Sequence, residues 1–150
     1  MLSAGDAAPT FSLLDHGGAT VDLAALRGRN VLVYFYPKAD TPGCTTQACA
    51  LRDIAGQVGD TVIIGVSPDK VSALLRFHTK YGLGFSLLSD PDHTVAEAYG
   101  VWKEKKNYGK VYMGIERSAF LIGADGALRN VWYKISPNNT PVKLLEALGA

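Results

Sequence analysis

The stretch Val31-Leu32-Val33-Tyr34-Phe35-Tyr36-Pro37-Lys38-Ala39-Asp40-Thr41-Pro42-Gly43-Cys44-Thr45-Thr46-Gln47-Ala48-Cys49 decides how the chain folds. Its first six residues are apolar, favour strands and show no alternation, which is the pattern of a strand covered on both faces and central in a sheet. Pro37 ends that strand. Asp40 or Thr41 can cap a helix whose first residue is Pro42, a position where a missing N–H is harmless. Cys44 then lies in the first turn, and Ala48, Leu51, Ala55 and Val58 continue a buried stripe toward a stop at Gly59. A thiol in the first turn of a helix meets unpaired backbone N–H groups and the positive end of the macrodipole, both of which favour a thiolate.

Strand and helix patterns continue outward from this unit. On its N-terminal side, the segments 11–14 and 19–23 flank His16-Gly17-Gly18, whose glycines permit the positive φ of a tight turn, so a β-hairpin is expected. On its C-terminal side, 61–66 reads as a second buried strand. A helix is expected from about Asp69 to Tyr81, with Val71, Leu74, Leu75 and His78 on one face and Gly82 at its end. Residues 85–88 form a short strand, and Asp90 with Pro91 opens a helix that runs to Gly100. The segment 102–116 is the least periodic, with five charged residues crowded around Asn107-Tyr108-Gly109, and it reads as a long solvated surface loop. Residues 118–122 and 128–133 bracket Gly123-Ala124-Asp125-Gly126, a strong hairpin signal, and Thr140-Pro141 starts a last helix that buries Leu144, Leu145 and Leu148. Two βα units, a hairpin and a closing helix make an α/β chain, with a mixed central β-sheet flanked by helices and an N-terminal β-hairpin. The Cys44 turn sits at the carboxyl end of a central strand, where crevices form. The order resembles a thioredoxin-like fold.

A chain of 150 residues with 47% apolar content is expected to make one compact domain. Fifteen basic and 14 acidic residues leave a net charge of +1, which calls for neither nucleic acid nor membrane as partner. The N-terminus lacks a basic region followed by an apolar one, and two cysteines are too few for a secreted disulfide scaffold. These features point to a cytoplasmic, reducing setting.

The two cysteines, Cys44 and Cys49, are five residues apart. On an ideal helix that separation puts their Cα atoms about 8.6 Å apart, whereas a disulfide needs less than about 7 Å. If they are to bond, the first turns must unwind, and disulfide formation becomes a conformational switch. Two small buried hydrophobes on a helix are the bland alternative. Metal binding is another, but the spacing is wider than that of the usual zinc pairs, and His16, His78 and His93 fall in different elements.

The pattern Pro37-x-x-x-Thr41-x-x-Cys44 resembles the active-site motif of the peroxiredoxins. Tyr34 to Lys38 before it, Cys49 after it, and the segments 108–110 and 116–122 are similar to the bacterioferritin comigratory protein, or PrxQ, subgroup. The resemblance implies that Cys44 is the peroxidatic cysteine, that Cys49 resolves its sulfenic acid as an intramolecular disulfide, and that thioredoxin or a glutaredoxin-like dithiol reduces this bond. It further implies that Thr41 and Arg117 bind and polarise hydrogen peroxide or an organic hydroperoxide, that Pro37 shields the pocket, and that the backbone N–H groups of Gly43 and Cys44 complete it. No cofactor is implied, and a monomer is expected. Each side chain also has a structural reading: Thr41 as N-cap, Pro37 as strand terminator, Arg117 as a charge at a strand end. Gln47 stands where many of the subgroup carry Glu, and no catalytic role is assigned to it.

Two other functions compete. A thiol-disulfide oxidoreductase acting on proteins would normally need Cys-x-x-Cys, and here threonine occupies the first position of Thr41-Pro42-Gly43-Cys44. A redox-sensing or holdase protein would use oxidation of Cys44 to unwind the helix and expose apolar surface.

Overall fold

The computed structural model describes residues 1–149. Its elements in chain order are β1 (Ser12–Asp15), β2 (Thr20–Asp22), β3 (Val31–Phe35), α1 (Pro42–Asp53), β4 (Val62–Ser67), α2 (Val71–Tyr81), β5 (Ser86–Ser89) and α3 (Thr94–Ala98). They continue with β6 (Trp102–Asn107), β7 (Lys110–Ile115), β8 (Ser118–Ile122), β9 (Leu128–Trp132) and α4 (Asn139–Leu148). Seven strands form one mixed sheet in the order β2-β1-β5-β4-β3-β8-β9. Strand β3 is buried at every position, parallel to β4 and antiparallel to β8, which is what its unbroken apolar run requires.

Alternation along β3 divides the interior into two layers. Val31, Val33 and Phe35 face Val95, Ala96 and Tyr99 of the α3 region, whereas Leu32, Tyr34 and Tyr36 face the layer of α1, α2 and α4. Cys44, Ala48 and Leu51 project from α1 into that second layer, together with Leu74 and Phe77 of α2 and Leu144 of α4. Helix α1 is thereby pinned against the sheet with its N-terminus above the carboxyl end of β3. Among the described residues, no helix is long and apolar enough to cross a membrane.

Tyr34 lies flat over Gly65 of β4, where an added Cβ would stand 2.8 Å from Tyr34 Cζ and Oη. The ring is enclosed by Tyr36 and Phe85 and cannot swing away cheaply. Gly65→Ala is therefore expected to lower stability by about 1–3 kcal/mol through overpacking. A urea titration should show this as a lower midpoint with an unchanged slope.

The structure departs from the sequence expectations at five places. Residues 102–116 form a two-stranded antiparallel hairpin, β6–β7, instead of a loop. Tyr108 and Gly109 both have positive φ, the geometry of a tight type I′ turn. Because this ribbon stands outside the main sheet, most of it has no core face to impose apolar alternation, and its sequence hides it. Helix α1 ends at Asp53 and is followed by a 3-10 turn over Ala55–Gln57, so Ala55 is exposed and Gly59 terminates the turn rather than the helix. Gly56, a poor helix former, marks the break.

In α2 the core contact is Phe77, while Leu75 is 48% exposed. Helix α3 begins at Thr94, not Pro91. The buried Asp90 still caps it across the intervening turn, accepting from the N–H groups of Val95 and Ala96 at 3.3 and 2.9 Å. Thr41 does occupy the N-cap position of α1, but its hydroxyl donates to the Lys38 carbonyl at 2.8 Å and does not cap the helix.

Candidate active site

Pro42 and Gly43 fill the first two positions of α1 and Cys44 the third, so Cys44 lies in the turn whose N–H groups have no carbonyl four residues back within the helix. The Cys44 side chain is buried, at 2% exposure. Among the described residues, its side-chain hydrogen-bond partner comes from the junction of β7 and β8: Arg117 Nη2 donates to Cys44 Sγ at 3.4 Å. The other arm of the guanidinium, Nη1, donates to Gln47 Oε1 at 2.7 Å. Gly43 makes this approach possible, because a Cβ there would lie 3.2 Å from Arg117 Nη2 and 3.6 Å from Pro137 Cγ.

Gln47 is fully buried one turn after Cys44. Its Nε2 donates to Thr140 Oγ1 at 2.9 Å, and that hydroxyl donates to the Ser136 carbonyl at 2.9 Å. The amide thus joins α1, Arg117 and the start of α4 in one chain, with both of its ends satisfied. The sequence reading gave Gln47 no role; its position three residues after Cys44, on the same helix face, was the available signal. Removing it strands a half-buried guanidinium donor and a buried hydroxyl. Gln47→Ala is expected to cost about 1–3 kcal/mol of stability, as checked by urea unfolding.

The loop between β3 and α1 is held by two carboxylates that the sequence did not single out for this purpose. Asp69 Oδ2 accepts from the Ala39 N–H at 2.7 Å and from the Ser67 hydroxyl at 2.7 Å. Asp40, a non-glycine residue at φ +60°, accepts from Lys80 Nζ at 2.9 Å and from the Tyr81 hydroxyl at 2.8 Å. These bonds hold its carboxyl below the usual carboxylate range, Lys80 being the larger cause. Such anchorage stabilises a left-handed residue that would otherwise be strained. It also fixes where Thr41 and Pro37 stand, both partly exposed on the approach to α1.

Cys49 lies on the same continuous helix as Cys44, and both thiols are free. The phenols of Tyr34 and Tyr36, in the same apolar layer, are pushed well up by burial and stay neutral at any working pH. The histidines do not join the site: His16 stacks on His78 at 3.7 Å and His93 on Trp102 at 4.0 Å. Arg117 meets Cys44, Gly43 and Gln47, with Thr41 and Pro37 on the adjoining loop. A buried sulfur facing a guanidinium at a helix N-terminus can act as a nucleophile toward a small polar molecule.

Comparison with known proteins gives the same picture. Residues 4–131 match the AhpC/TSA family. The chain is 51% identical over 140 residues to peroxiredoxin Bcp of Escherichia coli K12, covering 92% of this chain and 90% of the relative. It is 47% identical over 146 residues to peroxiredoxin Bcp of Bacillus subtilis, covering 96% and 93%. Among solved structures, the Xanthomonas campestris bacterioferritin comigratory protein superposes with a TM-score of 0.91 at 35% identity over 98% of both chains. A cysteine-to-serine mutant of Xylella fastidiosa PrxQ superposes with a TM-score of 0.93 at 30% identity, covering 99% of this chain and 96% of the other. The expected thioredoxin-like architecture is the one these neighbours share. The chain belongs to the AhpC/TSA family and, within it, to the bacterioferritin comigratory protein, or PrxQ, group of peroxiredoxins.

Proposed function

We propose that the protein reduces hydrogen peroxide and organic hydroperoxides at Cys44, resolves the product with Cys49 and is recycled by thioredoxin or a similar dithiol protein. As a peroxiredoxin it is a thiol-dependent peroxidase. The observation that carries the assignment of Cys44 is its contact with Arg117, 3.4 Å from Nη2 to Sγ, in a buried helix turn. Alkyl peroxide reduction is the activity described for the Xanthomonas campestris relative, and it supports the wider substrate range.

The chemistry follows from these groups. The Cys44 sulfur attacks one peroxide oxygen as a thiolate, an S–O bond forms and the O–O bond breaks. The departing oxygen takes up a proton and leaves as water or an alcohol, and Cys44 becomes a sulfenic acid. Arg117, with the N–H groups of Gly43 and Cys44, faces the negative charge that develops on the oxygens, and Thr41 supplies a hydroxyl beside them. Ionisation alone explains little of the rate: a cysteine of ordinary pKa is about 3% ionised at pH 7, so complete ionisation gains at most roughly 30-fold, or about 2 kcal/mol. The greater part is assigned to these positioned donors.

Cys49 then attacks the sulfenic sulfur, water leaves and the Cys44–Cys49 bond forms. The first turns of α1 must open for this, since both residues lie within one regular helix. A dithiol protein restores both thiols by two exchange steps. Cys49→Ser tests the sequence of events. It is expected to consume one equivalent of peroxide at the wild-type rate and then to stall, gaining 16 Da by mass spectrometry under non-reducing conditions. Unimpaired multiple turnover with thioredoxin would remove Cys49 from the cycle.

A further inference from the structure

We infer that the face of the β6–β7 ribbon carrying Lys103, Lys105, Lys110 and Tyr112 is the docking surface for the dithiol protein that recycles the enzyme, a partner with carboxylates around its reactive thiol. This rests on the recycling step proposed above. The ribbon is paired only with itself, outside the seven-stranded sheet, and its register assigns its faces. Lys103 pairs with Gly114, Lys105 with Tyr112 and Asn107 with Lys110, so these side chains share one face. Glu104, the ribbon's single carboxylate, lies on the other, beside Met113.

Ile115 and its partner Trp102, on the ribbon's other face, pack into the α3 layer, whereas Cys44 lies in the layer across the sheet, so the basic face is on the Cys44 side. Two residues beyond the end of β7 stands Arg117, whose Nη2 is 3.4 Å from Cys44 Sγ. The Lys105 stem and the Tyr112 ring both lie along Gly114, where a Cβ would meet them at 3.3 and 3.5 Å. The Lys105 ammonium is pushed down first by burial and then by Arg117, and drawn back up by Cys44 and Glu116, in keeping with that placement. Tyr112 is 47% exposed and Tyr108, at the tip, 97% exposed. A basic face with an uncovered tyrosine on the ribbon that leads into Arg117, in a chain whose net charge is only +1, is a local feature and not a property of the whole surface.

The charge selects the occupant. Three lysines without a carboxylate attract an acidic rim, and an exposed aromatic ring supplies contact area at small conformational cost. A dithiol protein reducing the Cys44–Cys49 disulfide must come within bonding distance of it, and the ribbon leads into Arg117 at that site. A nucleic acid would find the lysines but no reason for their position beside a thiol.

The test compares reductants on the full chain, with thioredoxin and its reductase in one arm and dithiothreitol in the other. Lys110→Glu and Tyr112→Ser, both at exposed positions, are expected to raise the KM for thioredoxin at least about fivefold and to weaken its salt dependence. Turnover with dithiothreitol should stay at the wild-type value. Val111→Ser and Met113→Ser, on the opposite face, should leave both arms unchanged. Docking on this face is overturned if the first pair matches wild type with thioredoxin, or if variants of both faces lose equally. It is also overturned if light scattering shows that Tyr112→Ser turns a dimer into a monomer, which would make a second copy the occupant. A wild-type protein turned over by dithiothreitol but by neither thioredoxin nor glutaredoxin would refute docking and protein-mediated recycling together, while leaving the peroxidase reading intact. Loss of the dithiothreitol arm itself would count against the peroxidase reading.

Discussion

Cys44→Ser is expected to lower peroxide consumption by on the order of 10³-fold or more, to the level of uncatalysed reaction. Serine nearly matches cysteine in size, and Arg117 Nη2 can donate to its oxygen as it does to Sγ. The buried turn and the chain from Arg117 through Gln47 to Thr140 should therefore persist, and folding is not the reason for the loss. What disappears is the chemistry. A hydroxyl remains protonated at neutral pH, and among the described residues the side chain bonded at this position is Arg117, a donor that cannot take the proton. Peroxide consumption under single-turnover conditions, with circular dichroism to confirm the fold, checks the expectation. Retention of wild-type activity would remove Cys44 from the reaction.

Arg117→Lys carries the second large effect, a fall of about 10²-fold in kcat/KM, equivalent to about 2.7 kcal/mol of transition-state stabilisation. The guanidinium spans two acceptors at once, Gln47 Oε1 at 2.7 Å and Cys44 Sγ at 3.4 Å. A lysine keeps the charge but is a single point on a flexible stem, so it cannot hold the fixed fork that serves both. If charge alone were responsible, Arg117→Lys would retain most activity and Arg117→Met would lose it. If fork geometry is responsible, the two variants fall together to within about tenfold. Steady-state rates across a range of hydrogen peroxide concentrations distinguish these outcomes.

Much of this arrangement is legible in the sequence because it depends on local rules. Six apolar residues from Val31, a proline at each end of the following loop and a cysteine three positions into a helix define β3, α1 and the position of Cys44. Arg117 was reachable only through resemblance to a family, since nothing in its neighbourhood states that it crosses 73 positions of sequence to meet Cys44. Gln47 and Thr140 were hidden for the same reason: a buried amide between two distant elements leaves no periodic trace. Asp40 shows a different failure. It has the residue type of a cap, but a positive φ and the pull of Lys80 and Tyr81 give it to the neighbouring helix. The β6–β7 ribbon escaped because strand signals depend on a buried face, and most of this ribbon lies in solvent.

Helix α1 has two requirements. Its first turns must be formed to hold Cys44 against Arg117, and they must open if Cys44 is to reach Cys49. Pinning by Ala48 and Leu51, both fully buried, keeps the middle of the helix in place. The N-terminal turns have fewer anchors, chiefly Gln47 and the loop bonds to Asp69 and Asp40. Opening is thus a local event at the end of an otherwise fixed element, in the range that hydrogen exchange resolves.

The most direct measurement is amide hydrogen exchange over residues 46–50, in the reduced protein and after oxidation by one equivalent of peroxide, with the Cys44–Cys49 bond verified by mass. The reduced form should show slow exchange there, and the oxidised form should lose that protection while β3 and β4 keep theirs. Equal protection of residues 46–50 in both forms, with the disulfide present, would contradict the requirement that α1 unwinds.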